Sequence, residues 1–556
     1  MADAELLLTG GPVVTMDRAS PRAEAVAVSG GRIVAVGGSD ELADLAGGDT
    51  RVVALSGRMV VPGFQDAHVH PPSSGLERLR CDLHDIAGAG AVLDAVRRYA
   101  LTHPDAAWVL GGGWRLPDFP GGTPHRSMLD DVTGDRPAYL TNRDGHGAWV
   151  NTAALQLAGI AAGTPDPPDG RIERDPDGVP SGTLHEGAMD LVERLAPATT
   201  AAEWRAATME AQAFLHSLGI TAWQDAWVLP ANQEAYLALD REGLLTARVV
   251  GGLWWDRDRG LEQILELVER REASGGGFPW PASGTRRFRA GTVKIMQDGI
   301  CENFTAGVLE PYLDAATGRP TDRRGLSFVD PGLLAEAVAR LDSEGFQVHV
   351  HAIGDRAVRE ALDAFELAAA RNGPSTMRHH IAHLQVVGPA DVPRFGALGV
   401  VANCQPFWAC LDDQMRDLNA PILGPERVAT QYPFRSLHRA GARLAFGSDW
   451  SVTTPDPLAI VQVAVTRVPF DEPDVEPFLP DERLDLDAAL EAATAGSAFV
   501  NHLDELTGAI RPGMAADLAV VDRDIFAVAP MEIGRARVDL TLARGAPVFD
   551  RHGELR

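Results

Sequence analysis

The sequence predicts an α/β protein: a (β/α)8 TIM-like barrel, a small β-sandwich built from both chain termini, and a long insertion after the first barrel strand. Three observations predict it. Eight apolar strand candidates recur through the middle of the chain, amphipathic helical stretches lie between several of them, and β-rich segments punctuated by glycine flank that middle at both ends. Strand and helix in alternation imply a parallel sheet, because a parallel connection needs a crossover long enough to hold a helix. A count of eight favours a closed barrel over an open sheet.

The first β segment occupies residues 1–61, with strand candidates at 6–14, 25–29, 32–36 and 51–55 separated by Gly-Gly and Ser-Gly turns. Residues 508–556 share that texture, with strands at 517–522 and 538–542. Neither end is large enough to bury its own core, so each is expected to complete the other. The barrel spans 62–507, its strands read at 64–70, 220–224, 247–251, 293–296, 346–351, 380–383, 400–404 and 443–449. Helical patterns at 202–218, 261–271, 331–343, 356–371 and 484–502 intervene or follow. The stretch from His70 to Ile220 is too long for one helix and its loops, so residues from about 75 to 200 are read as an insertion, with strands of its own at 108–111 and 138–141. Three Pro/Asp/Gly-rich stretches, 163–182, 317–325 and 469–481, read as exposed excursions.

The chain has 556 residues, 50 basic and 77 acidic, for a net charge of -27. Such a balance argues against a nucleic-acid or anionic-membrane partner, each of which wants a basic face. A small-molecule substrate is expected instead. A homodimer suits a large acidic enzyme, though the sequence offers no self-complementary patch. Cys81, Cys301, Cys404 and Cys410 form no CxxC pair and make no disulfide framework, which fits a reducing cytoplasm. The acidic start and brief apolar run of Met1-Ala2-Asp3-Ala4-Glu5-Leu6-Leu7-Leu8 resemble neither a signal peptide nor a spanning helix.

Chemistry concentrates in a few residues. Lys294 is the one lysine beside forty-nine arginines. A cation needed only for charge can be arginine, but an amine that must lose its proton and react cannot. Lys294 sits in the β-branched run Thr292-Val293-Lys294-Ile295-Met296, which reads as a buried strand where an unpaired ammonium is costly. It can escape that cost as a Schiff base or as an anionic carbamate, and the second suits a strand end surrounded by histidines. The bland alternative is a remnant whose head reaches solvent. His68 and His70, one residue apart on a strand, leave the same face. His351 and His383 fall late in two further strands, and Asp449 closes the eighth. In a parallel barrel such ends converge on one mouth, and four imidazoles with a carboxylate suit zinc or a similar divalent ion. His349 shares the parity of His351 but lies a layer deeper, as a neighbour.

The motifs Pro62-Gly63-Phe64-Gln65-Asp66-Ala67-His68-Val69-His70, Val293-Lys294, His351-Ala352-Ile353-Gly354-Asp355-Arg356-Ala357, Ile381-Ala382-His383 and Gly447-Ser448-Asp449 together resemble the metal-dependent amidohydrolase superfamily. The His-Ala-Ile-Gly-Asp-Arg-Ala string and the long insertion narrow the resemblance to the branch of N-substituted formamide deformylases and YtcJ-like hydrolases. Nearly the whole chain takes part, including Gly508-Ala509-Ile510-Arg511-Pro512-Gly513 at the re-entry into the terminal sandwich.

Carried over by position, the resemblance implies that His68, His70 and Asp449 hold one metal and that His351 and His383 hold or face a second. Lys294, N6-carboxylated, would bridge them, with one or two ions left open. Asp449 would take and return a proton as a metal-activated hydroxide attacks the substrate. The family's Asp-Gly-His-x-x-x-x-Asn pattern matches Asp144-Gly145-His146-Gly147-Ala148-Trp149-Val150-Asn151, making His146 a candidate substrate contact, and Trp114 is expected to wall the pocket. Glu186, Asp225 and Asp298 are read as groups that order loops or ligands. Gln297-Asp298-Gly299-Ile300-Cys301-Glu302-Asn303-Phe304 is bulkier than the family's small Gly/Ser-rich run, which puts any familiar substrate in doubt. Cys301 is read as a small buried residue with no ligand role. The implied activity is hydrolysis of a non-peptide, amide-type carbon-nitrogen bond; an esterase, lactonase, isomerase or hydratase on the same site is the alternative.

Overall fold

The computed structural model describes residues 3–280 and 286–555; Met1 and Ala2 of the acidic start, and Arg556 at the end of the second β segment, lie outside the described residues. Eight parallel strands follow one another in chain order around the centre: β1 (Phe64–Val69), β2 (Ile220–Val228), β3 (Arg248–Trp254), β4 (Phe288–Met296), β5 (Gln347–Ala352), β6 (His380–His383), β7 (Val401–Cys404) and β8 (Leu444–Phe446). All eight are buried almost throughout, as strands covered on both faces must be, which explains their continuous apolar runs. Helices separate them where the sequence carries start signals. In Pro331–Ser343, for example, proline takes the first helical position and the Asp330 carboxylate accepts from the Gly332 and Leu333 N–H groups.

The ladder runs from β1 to β8 without pairing those two strands to each other. Their junction is made just beyond the strand ends. The Asp449 N–H donates to the His68 carbonyl at 2.8 Å, and the His70 N–H donates to the Trp450 carbonyl at 3.0 Å. Asp66 spans the same junction, accepting from the His68 N–H at 3.0 Å, the Ser448 N–H at 3.1 Å and the Ser448 hydroxyl at 2.5 Å.

The two chain ends complete one sheet. Leu518–Val521 runs antiparallel to Met59–Pro62, joining three C-terminal strands to five N-terminal ones in one eight-stranded sheet. Leu8, Val26, Leu518 and Leu540 share its core. A buried ion pair ties this sheet to the barrel: Arg248 of β3 meets Asp517, which also accepts from the Arg544 N–H at 2.7 Å.

Between β1 and β2 the chain forms a further six-stranded sheet, in the order Gly170–Arg174, Pro180–Glu186, Gly147–Val150, Ala138–Asn142, Val109–Trp114, Cys81–Asp82. The expectation of an exposed excursion at 163–182 is corrected here. Its second half makes a hairpin, because Ile172 and Leu184 fall opposite each other and enter the core of the inserted unit. Proline and aspartate in the tip mask that alternation in the sequence. Among the described residues no helix is long and apolar enough to cross a membrane.

Because Arg248 and Asp517 are 4% and 0% exposed, Arg248→Met leaves a buried carboxylate without its counter-charge. It is expected to destabilise by about 3–5 kcal/mol, read from the urea midpoint of unfolding; an unchanged midpoint would show that the pair holds nothing together.

Candidate active site

Closing the barrel brings the dispersed imidazoles to one place. Asp449 Oδ1 lies 3.2 Å from His68 Nε2 and 2.8 Å from His70 Nε2, while Asp449 Oδ2 is 3.9 Å from His383 Nδ1. Donor atoms of His68, His383 and Asp449 all fall within 4.8 Å of one another. The His383 ring is 4.7 Å from that of His68 and 4.3 Å from that of His351. The side chains form one continuous cluster, with His383 in contact with both His68 and His351. Lys294 is buried below it, in register with His349 on β5.

Backbone geometry at this mouth is unusual. His383 and Asp449 have φ of 82° and 55°, and Glu186, at the end of an inserted strand, has 51°. Left-handed backbone at a non-glycine residue costs about 1–2 kcal/mol, so the surrounding hydrogen bonds must impose it. At Asp449 the turn swings the carboxylate back over β1.

Burial sets the charge states. It pushes His68 down to about 3, and His351 and His383 well below the usual imidazole range, so all three present neutral lone pairs. Burial also lowers the Lys294 ammonium to about 7 against the pull of Asp449 and Asp298. Asp449 behaves oppositely. Burial pushes it up, but the imidazoles of His68 and His70 beside it hold it well below the usual carboxylate range.

These residues fit a divalent metal. Both ring nitrogens of His383 and Nδ1 of His70 are buried without hydrogen-bond partners, although an unsatisfied buried polar atom ordinarily costs about 1–3 kcal/mol. Neutral imidazoles with an ionised carboxylate are donors of the kind zinc and similar ions take. Two histidines are also aimed by partners behind them. His351 Nδ1 is 3.2 Å from Asp298, whose carboxylate accepts from the Gly307, Ile353 and Gly354 N–H groups; His68 Nδ1 is 2.9 Å from His349 Nε2. Asp298 therefore holds His351 and three loop amides at once.

The insertion reaches the same mouth. His146 Nδ1 lies 3.0 Å from Glu186, and its ring sits 5.7 Å from that of His351. Although burial lowers the imidazole, Glu186 outweighs it and His146 rises to about 9. Trp114 is a correction: it is fully buried in the core of the inserted unit against Phe119 and Trp149, with its indole N–H on the Leu140 carbonyl at 2.9 Å. Its neighbour Arg115 lines the cavity instead. That cavity, about 580 Å³, is walled by Arg143, Asp144, Ile353, Trp408 and Trp450 and not by the cluster itself. Trp408 joins the two, stacking on His383 at 5.2 Å with 3° between the rings. Sequence reading missed it, since nothing in Gln405-Pro406-Phe407-Trp408 marks one aromatic as special. Cys301 lies in an apolar cluster with Ile300 and Tyr312, and Asp225 accepts from the Trp227 N–H and the Tyr236 hydroxyl.

The barrel and its histidine-carboxylate cluster define a metal-dependent hydrolase. Residues 51–549 match the amidohydrolase family, and the chain belongs to it. It is 33% identical over 540 residues to Protein LONG AFTER FAR-RED 3 of Arabidopsis thaliana, covering 93% of this chain and 87% of that protein. It is 28% identical to the N-substituted formamide deformylase of Arthrobacter pascens, covering 99% of each. The crystal structure of an uncharacterized metal-dependent hydrolase from Pyrococcus horikoshii superposes with a TM-score of 0.73 at 25% identity, covering 94% of this chain and 99% of that one.

Asp298→Asn sets an amide against backbone N–H groups and slackens His351. Zinc affinity, measured by chelator competition, is expected to fall about 10- to 100-fold with the fold retained; wild-type affinity would remove Asp298 from the site's support.

Proposed function

We propose that this chain hydrolyses a non-peptide, amide-type carbon-nitrogen bond in a small molecule. The observation that carries the reading is the ionised Asp449 carboxylate set among neutral imidazoles beside the cavity. The likeness to a formamide deformylase over almost the full length supports the bond class. His68, His70, His351, His383 and Asp449 would hold zinc or a similar divalent ion, which when bound supplies Lewis acidity and eases loss of a proton from water.

The chain's own residues account for the remaining steps. Asp449 accepts a proton from the attacking water as its oxygen bonds to the substrate's acyl carbon. It then returns that proton to the leaving nitrogen as the carbon-nitrogen bond breaks, giving a carboxylate and an amine. His146, oriented by Glu186, holds the substrate from the side of the insertion. Lys294, with its pKa lowered to about 7, has a substantial neutral fraction near neutral pH. Its amine can add carbon dioxide and release a proton, giving an N6-carboxylated side chain that would join the histidines and Asp449 in holding metal.

Three measurements test the reading together. Chelation is expected to abolish turnover of N-formyl and N-acyl amines, and zinc to restore it. Hydrolysis in isotopically labelled water is expected to place one labelled oxygen in the acid product as the amine appears; label without amine would move the activity to an ester or lactone. Lys294→Met, which removes the amine without burying an unpaired charge, is expected to keep the fold and lose at least tenfold in kcat, and full activity in that variant would refute the carbamate.

A further inference from the structure

Below the metal cluster, a file of polar side chains runs down the bore of the barrel, where an apolar filling is the ordinary solution. Gln347, at the bottom, donates its amide nitrogen to two backbone carbonyls, Val500 at 2.7 Å and Arg378 at 2.9 Å. Carbonyls only accept, so the orientation of this amide is fixed, and its oxygen must face the other way. There it accepts from the Thr292 hydroxyl at 2.7 Å and from Gln224 Nε2 at 3.0 Å. Asn501 Oδ1, 3.5 Å from Gln224 Nε2, agrees with the same direction. Gln224 Oε1 is thereby turned upward as an acceptor, 2.7 Å from His349 Nδ1. His349 must carry its proton on Nδ1, leaving Nε2 as a lone pair. That lone pair lies 2.9 Å from His68 Nδ1, which must be protonated in turn.

We infer that this file of hydrogen bonds, anchored on the Val500 and Arg378 carbonyls, acts as a tautomer lock that leaves the Nε2 lone pair of His68 facing Asp449 and the metal cluster. His349, Gln224 and Gln347 are positioning residues. Each acts through the next and none touches substrate. A histidine with its proton on the wrong nitrogen cannot ligate until it exchanges, so the lock fixes one ligand before metal arrives. His383 provides a contrast within the same cluster, since neither of its ring nitrogens has a hydrogen-bond partner and Trp408 holds the ring by stacking.

The inference rests on the reading of His68 as a ligand, and two His349 variants distinguish the lock from that reading. Gln at 349 has an oxygen to accept from His68 and a nitrogen to donate to Gln224, whereas leucine has neither. By chelator competition, His349→Gln is expected to bind zinc within threefold of wild type and His349→Leu about 10- to 100-fold more weakly. Equal affinity for the leucine variant would overturn the lock while leaving the metal site standing; a wild-type protein that binds no zinc would overturn both. Should His349→Leu fail to fold, the metal-free wild type decides. In a 15N-histidine spectrum the His68 signal, identified by its loss in His68→Asn, is expected to carry its proton on Nδ1. A proton on Nε2 would refute the lock.

Discussion

The junction between the first and eighth strands is the constraint on which the site depends. No ladder pairs β1 with β8 among the described residues, so the barrel closes there through a few hydrogen bonds above the strand ends. The Asp66 carboxylate grips both sides, with donors from His68 and from Ser448. Burial raises Asp66 to about 7 while those hydrogen bonds oppose the shift, which is what a desolvated acceptor held by several donors should show. The distances from Asp449 to His68, His70 and His383 follow from this closure. Residues 68 and 449 are separated by most of the chain, yet a backbone hydrogen bond of 2.8 Å links them.

The barrel alone supplies the candidate ligands, and the insertion supplies the far wall. Thr305, in the loop after β4, donates to Glu186 at 2.7 Å, and Asn303 donates to the His146 carbonyl at 2.9 Å. Arg143 is anchored in a similar way, its Nε on the Val452 carbonyl at 2.7 Å in the loop that follows Asp449. The inserted unit is thus tied to two separate barrel loops that flank the cluster. The candidate ligands and the far wall therefore lie on different parts of the chain, so either can vary without altering the other.

What the sequence made legible follows from periodicity and spacing. His68 and His70 could be placed on one face because a strand alternates, and His351, His383 and Asp449 could be placed at strand ends because apolar runs stop there. Joining of the two termini was legible because neither end could bury itself. The features that escaped depend on distance in space. Trp408 and Trp114 are both aromatic residues near motif ends, and only packing determines that one stacks on His383 while the other fills the inserted core. The left-handed turns at His383 and Asp449 carry no sequence mark either, since glycine is absent from both positions. The polar file below His68 was visible only as His349. Its partners Gln224 and Gln347 lie on different strands, and their amide orientations follow from carbonyls in segments remote in sequence.

The arginine bias gains a physical explanation from the interior. Arg248 is buried against Asp517, and Arg467, fully buried, donates to the Phe478 carbonyl at 2.9 Å and the Tyr432 carbonyl at 3.0 Å. In both places a guanidinium meets acceptors held in fixed positions, although Arg467 Nη2 finds none among the described residues. Lys294 has a different setting. Its amine has no hydrogen bond among the described residues, its charge is opposed by burial, and the side chains near it are largely neutral imidazoles. A guanidinium there would stay charged without acceptors for its donors. An amine can shed its proton and, as a carbamate, become the anion that an electron-poor cluster of cations would attract. The position that holds lysine is therefore one where arginine's advantages vanish and where the proposed carbamate would draw on what only an amine can do.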